Sequence, residues 1–211
     1  MPPFHNNTKT KVLMKKVFSY KLRHITAFLT LLCLPFCSSC SKDSFDFSSL
    51  HAFFVFDTTK HAETTPLQSA MNSLSPGVFC RVSENADKGK TFFYLENNQG
   101  LSTRTPANAD DMRLTRAIGI YNKTGVIVGY GNLSSPAVFY CYDSQCPNCY
   151  AETNMANYKL TMNSNGIATC PNCKRQYDMN NNGLCSNAEG KKLIKYRATT
   201  TGPTGILSIN N

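Results

Sequence analysis

The sequence predicts an all-β protein, a sandwich or a barrel, on two observations. Short runs rich in Val, Ile, Phe, Tyr and Thr recur from about residue 50 onward, and turn residues separate them at short intervals. The first group suits a pleated, half-buried surface. The second, mostly Gly and Asn, supplies the positive φ angles that tight turns need.

In chain order the strand-like runs are "HAFFVF" (51–56), "GVFCRVSE" (77–84), "TFFYLE" (91–96), "RAIGIY" (116–121), "GVIVGY" (125–130) and "AVFYCYD" (137–143). They continue with "YKLTM" (158–162), "GIATC" (166–170), "KLIKYRATT" (192–200) and "GILSIN" (205–210). Between them stand "SPG", "DKGK", "NNQG", "NKTG", "NSNG", "NNNG" and "TGPTG". "YNKTGVIV" and "LTMNSNGIATC" read as hairpins. One short helix is expected at "TTPLQSAMNSL", with Thr65 as its cap and Pro66 in its first turn. "TRTPANADDMRL" (103–114) has no clear period and reads as a loop, with Asp110 and Asp111 in a surface turn.

Residues 1–39 differ from the rest. They carry six Lys/Arg (Lys9, Lys11, Lys15, Lys16, Lys21 and Arg23) and no acid, followed by the apolar run "ITAFLTLLCLPF" (25–36) and "CSSC" (37–40). A basic segment, a short apolar run and a small-residue site are the pattern of a secretory signal. The run is too short for a membrane-spanning helix. Met14, followed by "KKVFSYKLRH", is a more usual start for such a signal, which places residues 1–13 upstream of it. No twin-arginine pair is present, so export is expected through the general pathway, unfolded.

Ser38 and Ser39 precede Cys40, which is followed by "SKDS". This resembles the lipobox of bacterial lipoproteins, although Cys37 stands where that family prefers Leu. The resemblance implies lipidation of Cys40, a bacterial envelope location with the chain anchored to a membrane, and a periplasmic or surface-exposed domain. Ordinary signal cleavage is the alternative. Residues 40–49 then read as a lipidated, flexible tether, and 50–211 as one β domain.

Charge follows from the same division. The full chain is +9, but the part from Cys40 onward keeps 16 Lys/Arg against 13 Asp/Glu, or +3. That is ordinary for a globular domain, so the basic balance does not imply nucleic-acid binding. Lys174, Arg175, Lys191, Lys192, Lys195 and Arg197 read as a solvated basic face.

Ten cysteines are present, and four stand apart. The phrase Cys-Pro-Asn-Cys occurs twice, at Cys146–Cys149 and Cys170–Cys173, with 20 residues between. Two cysteines separated by two residues can wrap a tight turn and aim both sulfurs at one point. Two such turns face to face make a four-sulfur shell, a preferred site for Zn²⁺. A full shell leaves no open position, so the metal would be structural, clamping the polar loops at about 144–185. Structural disulfides are the alternative in an oxidising compartment. A thiol-redox pair would call for a helix after the motif to lower a thiol pKa, and "CPNCKRQYD" runs instead toward an Asn-Gly turn. Cys80 and Cys141 read as small core residues or as a disulfide pair, and Cys185 is not assigned as a ligand.

"VFYCYDSQCPNC", "GIATCPNCKRQYDMNNNG" and "KLIKYRATTTGPTGILSIN" together resemble the Rieske domain. In that family a strand leads into Cys-Pro-x-His, and a hairpin follows. A second Cys-Pro-x-His-Gly comes next, then an aromatic-acid pair, a Gly turn and closing strands. The resemblance covers roughly 137–210. It implies an antiparallel Rieske-like β-sandwich with a small metal-binding loop subdomain. Tyr177 and Asp178 would match the aromatic-acid pair, Gly183 the turn, and Leu193 and Tyr196 the next strand. Cys149 and Cys173 stand where the family has histidines, Lys174 where it has Gly, and no His follows residue 61. High-potential chemistry needs the imidazoles, so an all-Cys 2Fe–2S cluster for electron transfer is the alternative to Zn²⁺. Such clusters are built in the cytoplasm, and a chain exported unfolded should arrive without one.

The sequence shows no Ser-His-Asp set, no carboxylate pair at telling spacing and no phosphate loop. The reading is a non-catalytic envelope module.

Overall fold

The two ends of the domain pair with each other. In the computed structural model, which describes residues 46–211, strand β1 (Phe53–Asp57) runs antiparallel to β12 (Ile206–Asn210), with Phe54 opposite Ile209 and Phe56 opposite Leu207. Strand β11 (Ala198–Thr200) covers the other edge of β12. The signal segment, Cys40 and the spacer as far as residue 45 lie outside the described residues.

A second sheet contains β2 (Phe79–Asp87), β3 (Lys90–Asn97), β4 (Ser102–Pro106), β5 (Val126–Tyr130) and β6 (Phe139–Asp143), in the order β4-β3-β2-β5-β6. The β2–β3 hairpin closes on Lys88 and Gly89, both at positive φ (48° and 78°), the geometry that matches strand twist in a two-residue turn. A third sheet holds β7 (Thr161–Met162), β8 (Ile167–Thr169), β9 (Gln176–Asp178) and β10 (Leu184–Cys185), in the order β10-β9-β8-β7. Every strand pair is antiparallel. The all-β expectation therefore holds.

The second sheet is the middle layer, and strand alternation explains how. One face turns Cys80, Val82, Phe93, Leu95, Val128 and Cys141 toward Phe54, Phe56, Leu207 and Ile209 of the first sheet. The other face turns Phe79, Ile127 and Tyr142 toward Ala168 and Tyr177 of the third sheet and toward Cys146, Cys149, Leu160, Cys170, Met179 and Leu193 in the segments around it. β5 is buried on both faces, which is why it reads as the unbroken apolar run Val126-Ile127-Val128.

Several local expectations are corrected. The short helix α1 (Thr65–Ala70) has Thr64 at its N-cap position, without a side-chain capping bond, with Thr65 already inside it and Pro66 in its first turn. The stretch 103–114 is not a loop: "STRTP" forms the edge strand β4, and α2 (Ala109–Arg113) follows. Asn108 caps α2 and Asp111 reaches back to the Asn108 N–H at 2.7 Å, so Asp111 is a buried capping-box partner and not a surface turn residue. Residues 116–121 make no strand, only a bridge from Ala117 to Phe53. The expected "YNKTG" hairpin is a 3₁₀ turn over Ile120–Asn122, with Tyr121 and Asn122 left-handed. β5 pairs instead with β2 and β6.

The register also excludes a Cys80–Cys141 disulfide. Both residues lie opposite Val128, one on each side, so two strand spacings of about 4.8 Å separate them. Both are buried free thiols of the core, and burial pushes both pKa values up.

Residues 46–49, read as spacer, lie against the domain. Asp46 pairs with Lys192 and Lys195, Phe47 lies under the cations of Lys195 and Arg197 at 4.7 and 4.6 Å, and the Ser48 N–H donates to the Lys195 carbonyl at 2.8 Å. Lys192 and Lys195 are thus holding residues and not part of a solvated face. Among the described residues no helix is long and apolar enough to cross a membrane.

Candidate metal centre

The first Cys-Pro-Asn-Cys opens a helix. Cys146 is the N-cap residue of α3 (Pro147–Thr153), Pro147 occupies its first turn, and Asn154 closes it in the left-handed conformation at φ 54°. Proline suits this place because its fixed φ is already helical and its missing N–H would have no partner there. Cys149 therefore sits one turn after Cys146. No helix follows the second motif, as "CPNCKRQYD" leads one to expect, whereas one starts inside the first motif, where the sequence reading places none.

The second motif is the tip of the β8–β9 hairpin. The Cys170 N–H donates to the Arg175 carbonyl at 2.9 Å and the Lys174 N–H to the Cys170 carbonyl at 3.1 Å. Lys174 holds φ 60°, a backbone glycine adopts freely.

Buried polar residues position the first motif. Asp143 ends β6 and accepts four hydrogen bonds: from Gln145 N (2.7 Å), Ile120 N (2.8 Å), Thr124 Oγ1 (2.9 Å) and the Tyr196 hydroxyl (2.7 Å). Gln145 then accepts from the Tyr158 N–H at 2.9 Å, while the Cys146 N–H donates to the Tyr158 carbonyl at 2.9 Å. Arg81 reaches across from β2, donating to Ser144 Oγ at 2.9 Å and to the Leu160 carbonyl, so it straps both ends of the first loop to the middle sheet.

The result is convergence of all four predicted ligands. The sulfurs of Cys146, Cys149, Cys170 and Cys173 lie within 4.8 Å of one another, with Cys146–Cys173 at 3.6 Å and Cys149–Cys170 at 3.7 Å. Each close pair joins one motif to the other. A tetrahedral ion with Zn–S bonds of about 2.3 Å puts its sulfurs about 3.8 Å apart. The four thiols thus fit a single tetrahedral ion and could hold a metal. Cys185 is outside this group.

The two identical phrases use their asparagines differently. Asn148 is buried and donates through Nδ2 to the Tyr177 hydroxyl at 2.8 Å, while its Oδ1 accepts from the Lys191 N–H at 3.0 Å. Asn172 is exposed and directs Nδ2 at the Cys149 sulfur, 3.4 Å away. The Tyr177 hydroxyl lies 3.2 Å from the Cys146 sulfur. Of these supports the sequence had singled out Tyr177 alone, through the family resemblance. The others depend on contacts that local patterns do not encode, although the repeated Asn was visible as part of the phrase.

The thiols are not electrostatically alike. Burial pushes Cys170 up to about 12 and raises Cys149. At Cys173 burial also acts upward, but the Arg175 N–H and guanidinium, with Cys170 and Cys146, outweigh it and bring the thiol down to about 7. A bound cation would favour all four thiolates.

No known protein family, characterised protein or solved structure matches this chain.

Proposed function

We propose that this chain is a lipid-anchored bacterial envelope protein whose Rieske-like β domain carries one structural Zn²⁺ on Cys146, Cys149, Cys170 and Cys173. The observation that carries the metal reading is the convergence of four sulfurs within 4.8 Å. A 2Fe–2S cluster places two irons between its cysteine pairs, and sulfurs on different irons then stand farther apart than sulfurs on one ion. A compact four-sulfur shell suits a single ion, and four thiolates leave no open position for water or substrate. The role is accordingly structural and non-catalytic. Zn²⁺ can also be taken up after export, whereas a cluster is assembled before it.

The Rieske likeness is supported by the order of elements around the site. β6 leads into the first motif, the β7–β8 hairpin follows, and the second motif precedes Tyr177 and Asp178 on β9. Gly183 turns the chain at φ 67°, and a Cβ there would meet Leu193 at 2.7 Å. Lys174, at the position where the Rieske pattern has Gly, holds φ 60°, a backbone that glycine adopts freely. Helix α3 and the largely irregular stretch 192–197 depart from the pattern. The lipid anchor rests on the Cys40 motif alone.

Two variants test this reading. Cys40→Ala is expected to release the chain from the membrane fraction; retention after a carbonate wash would remove the anchor. Cys149→Ser is expected to lose zinc and to accelerate hydrogen exchange across 144–185 while β2, β3 and β5 stay protected. Full metal retention in that variant would refute the ligand assignment.

A further inference from the structure

Beside the metal loops a notch of about 520 Å³ opens over β2 and β3, on the face of β2 that carries Phe79. Arg81, Ser83, Asn85, Tyr94 and Glu96 line it from the sheet, Asn122 and Lys123 from the turn after α2, and Lys159 from the first metal loop. Its chemistry is one-sided. Both acids carry an ion pair: Glu84 accepts from Arg116 through both oxygens, at 2.8 and 3.1 Å, and Glu96 accepts from Arg81 through one, at 3.1 Å. The amide oxygens are engaged too. Asn85 Oδ1 accepts from the Ala86 N–H and Asn122 Oδ1 from the Ile118 N–H, both at 2.9 Å.

The donors, by contrast, are in surplus. Lys123 and Lys159 are exposed, and among the described residues neither makes an ion pair or a side-chain hydrogen bond. The side-chain amide groups of Asn85 and Asn122 remain available. Arg81 uses three nitrogens on Ser144, Glu96 and the Leu160 carbonyl, which leaves two of its five N–H bonds. Glu96 Oε1 and the Ser83 hydroxyl remain open, but both carboxylates already carry an ion pair, so the notch is left with two lysine charges and several N–H donors, which is complementary to an anion with several oxygens.

We propose that this notch binds an oxyanion, a carboxylate or a phosphate, carried on a small molecule, with Lys123 and Lys159 as the charged contacts and Arg81, Asn85 and Asn122 as the directional ones. The volume exceeds what a bare anion needs and suits a small organic molecule bearing one. The site is open and polar, so weak, exchanging binding is expected. It does not depend on which metal the neighbouring cysteines hold.

The test is a titration of the ¹⁵N-labelled full chain with sodium phosphate and, separately, with sodium acetate, at ionic strength held constant with sodium chloride. Saturating amide shifts are expected at Ser83, Asn85, Asn122, Lys123 and Lys159 in at least one arm. Saturation with phosphate alone assigns a phosphate group, with acetate alone a carboxylate, and with both an unselective oxyanion site. Lys123→Ala/Lys159→Ala, at exposed positions away from both cores, should weaken that binding about tenfold or more, since two charge-assisted contacts are lost. Shifts that stay linear in both arms, or equal saturation in the double variant, overturn the proposal.

Discussion

The hydroxyl of Tyr177 stands 3.2 Å from the sulfur of Cys146, and its ring is fully buried beneath the cysteine cluster. Asn148 Nδ2 donates to the same oxygen at 2.8 Å, which leaves the hydroxyl proton free to point at the sulfur. Such a bond stabilises a thiolate and fixes its direction. Tyr177→Phe keeps the ring and removes only this donor. Metal affinity, measured by competition with a chelator, is expected to fall about 10- to 100-fold. An unchanged affinity would mean that the contact is packing alone.

Arg81 is the strap between layers. It holds Ser144, Glu96 and the Leu160 carbonyl with a side chain only 15% exposed. Arg81→Met retains much of the aliphatic stem and removes all three bonds. A loss of about 2–3 kcal/mol is expected, because hydrogen bonds to a charged, largely buried group are involved. Urea unfolding checks the magnitude. Hydrogen exchange should locate the loss in 144–162, and loss confined to β3 and β4 would contradict the strap.

Asp143 gives a pH signature. Burial pushes its carboxyl above the usual carboxylate range, and the donors from Tyr196, Gln145, Thr124 and Ile120 only partly offset this. The folded chain then binds the proton more tightly than the unfolded chain, where the value is about 4. This contribution is fully present below the unfolded value and is lost as pH rises through the raised one. Asp143→Asn has no such proton. The stability of the wild type relative to this variant is therefore expected to fall as pH rises from about 4 toward neutrality. Both proteins carry the same cysteines, so the pH dependence of metal binding cancels in the difference. A difference that is flat, or that grows with pH, would contradict the assignment.

How much of this was legible in the sequence depended on whether the signal was local. β5 and the runs at 51–56, 77–84 and 91–96 are dense in β-branched and aromatic residues, and each contains a strand. The four cysteines announced themselves by a repeated phrase, and their convergence follows from two turns facing each other. β4 escaped because "STRTP" is polar. It is an edge strand that lines neither core fully, with only Thr105 of its five residues buried. Helix α3 escaped because seven residues starting at Pro147 show no apolar period and its opening reads equally as a turn. "YNKTG" carries hairpin chemistry, but Gly119 leaves no room for a side chain: a Cβ there would meet the Gly125 carbonyl oxygen at 2.4 Å, so the segment folds tightly on itself. The separation of Cys80 from Cys141 is a matter of register across β5, which no local pattern records. Arg81 and Asp143 act over 79 and 53 residues of sequence, through Leu160 and Tyr196, and only the assembled layers bring those groups together.

The central claim is that four converging thiolates hold one zinc ion. The direct measurement is the metal, acid-labile sulfide and free-thiol content of the full chain, purified after expression with its own N-terminal segment. One zinc per chain, no sulfide and no visible absorption is the predicted result. Iron accompanied by acid-labile sulfide, or a metal-free chain with Cys146, Cys149, Cys170 and Cys173 oxidised, would contradict it.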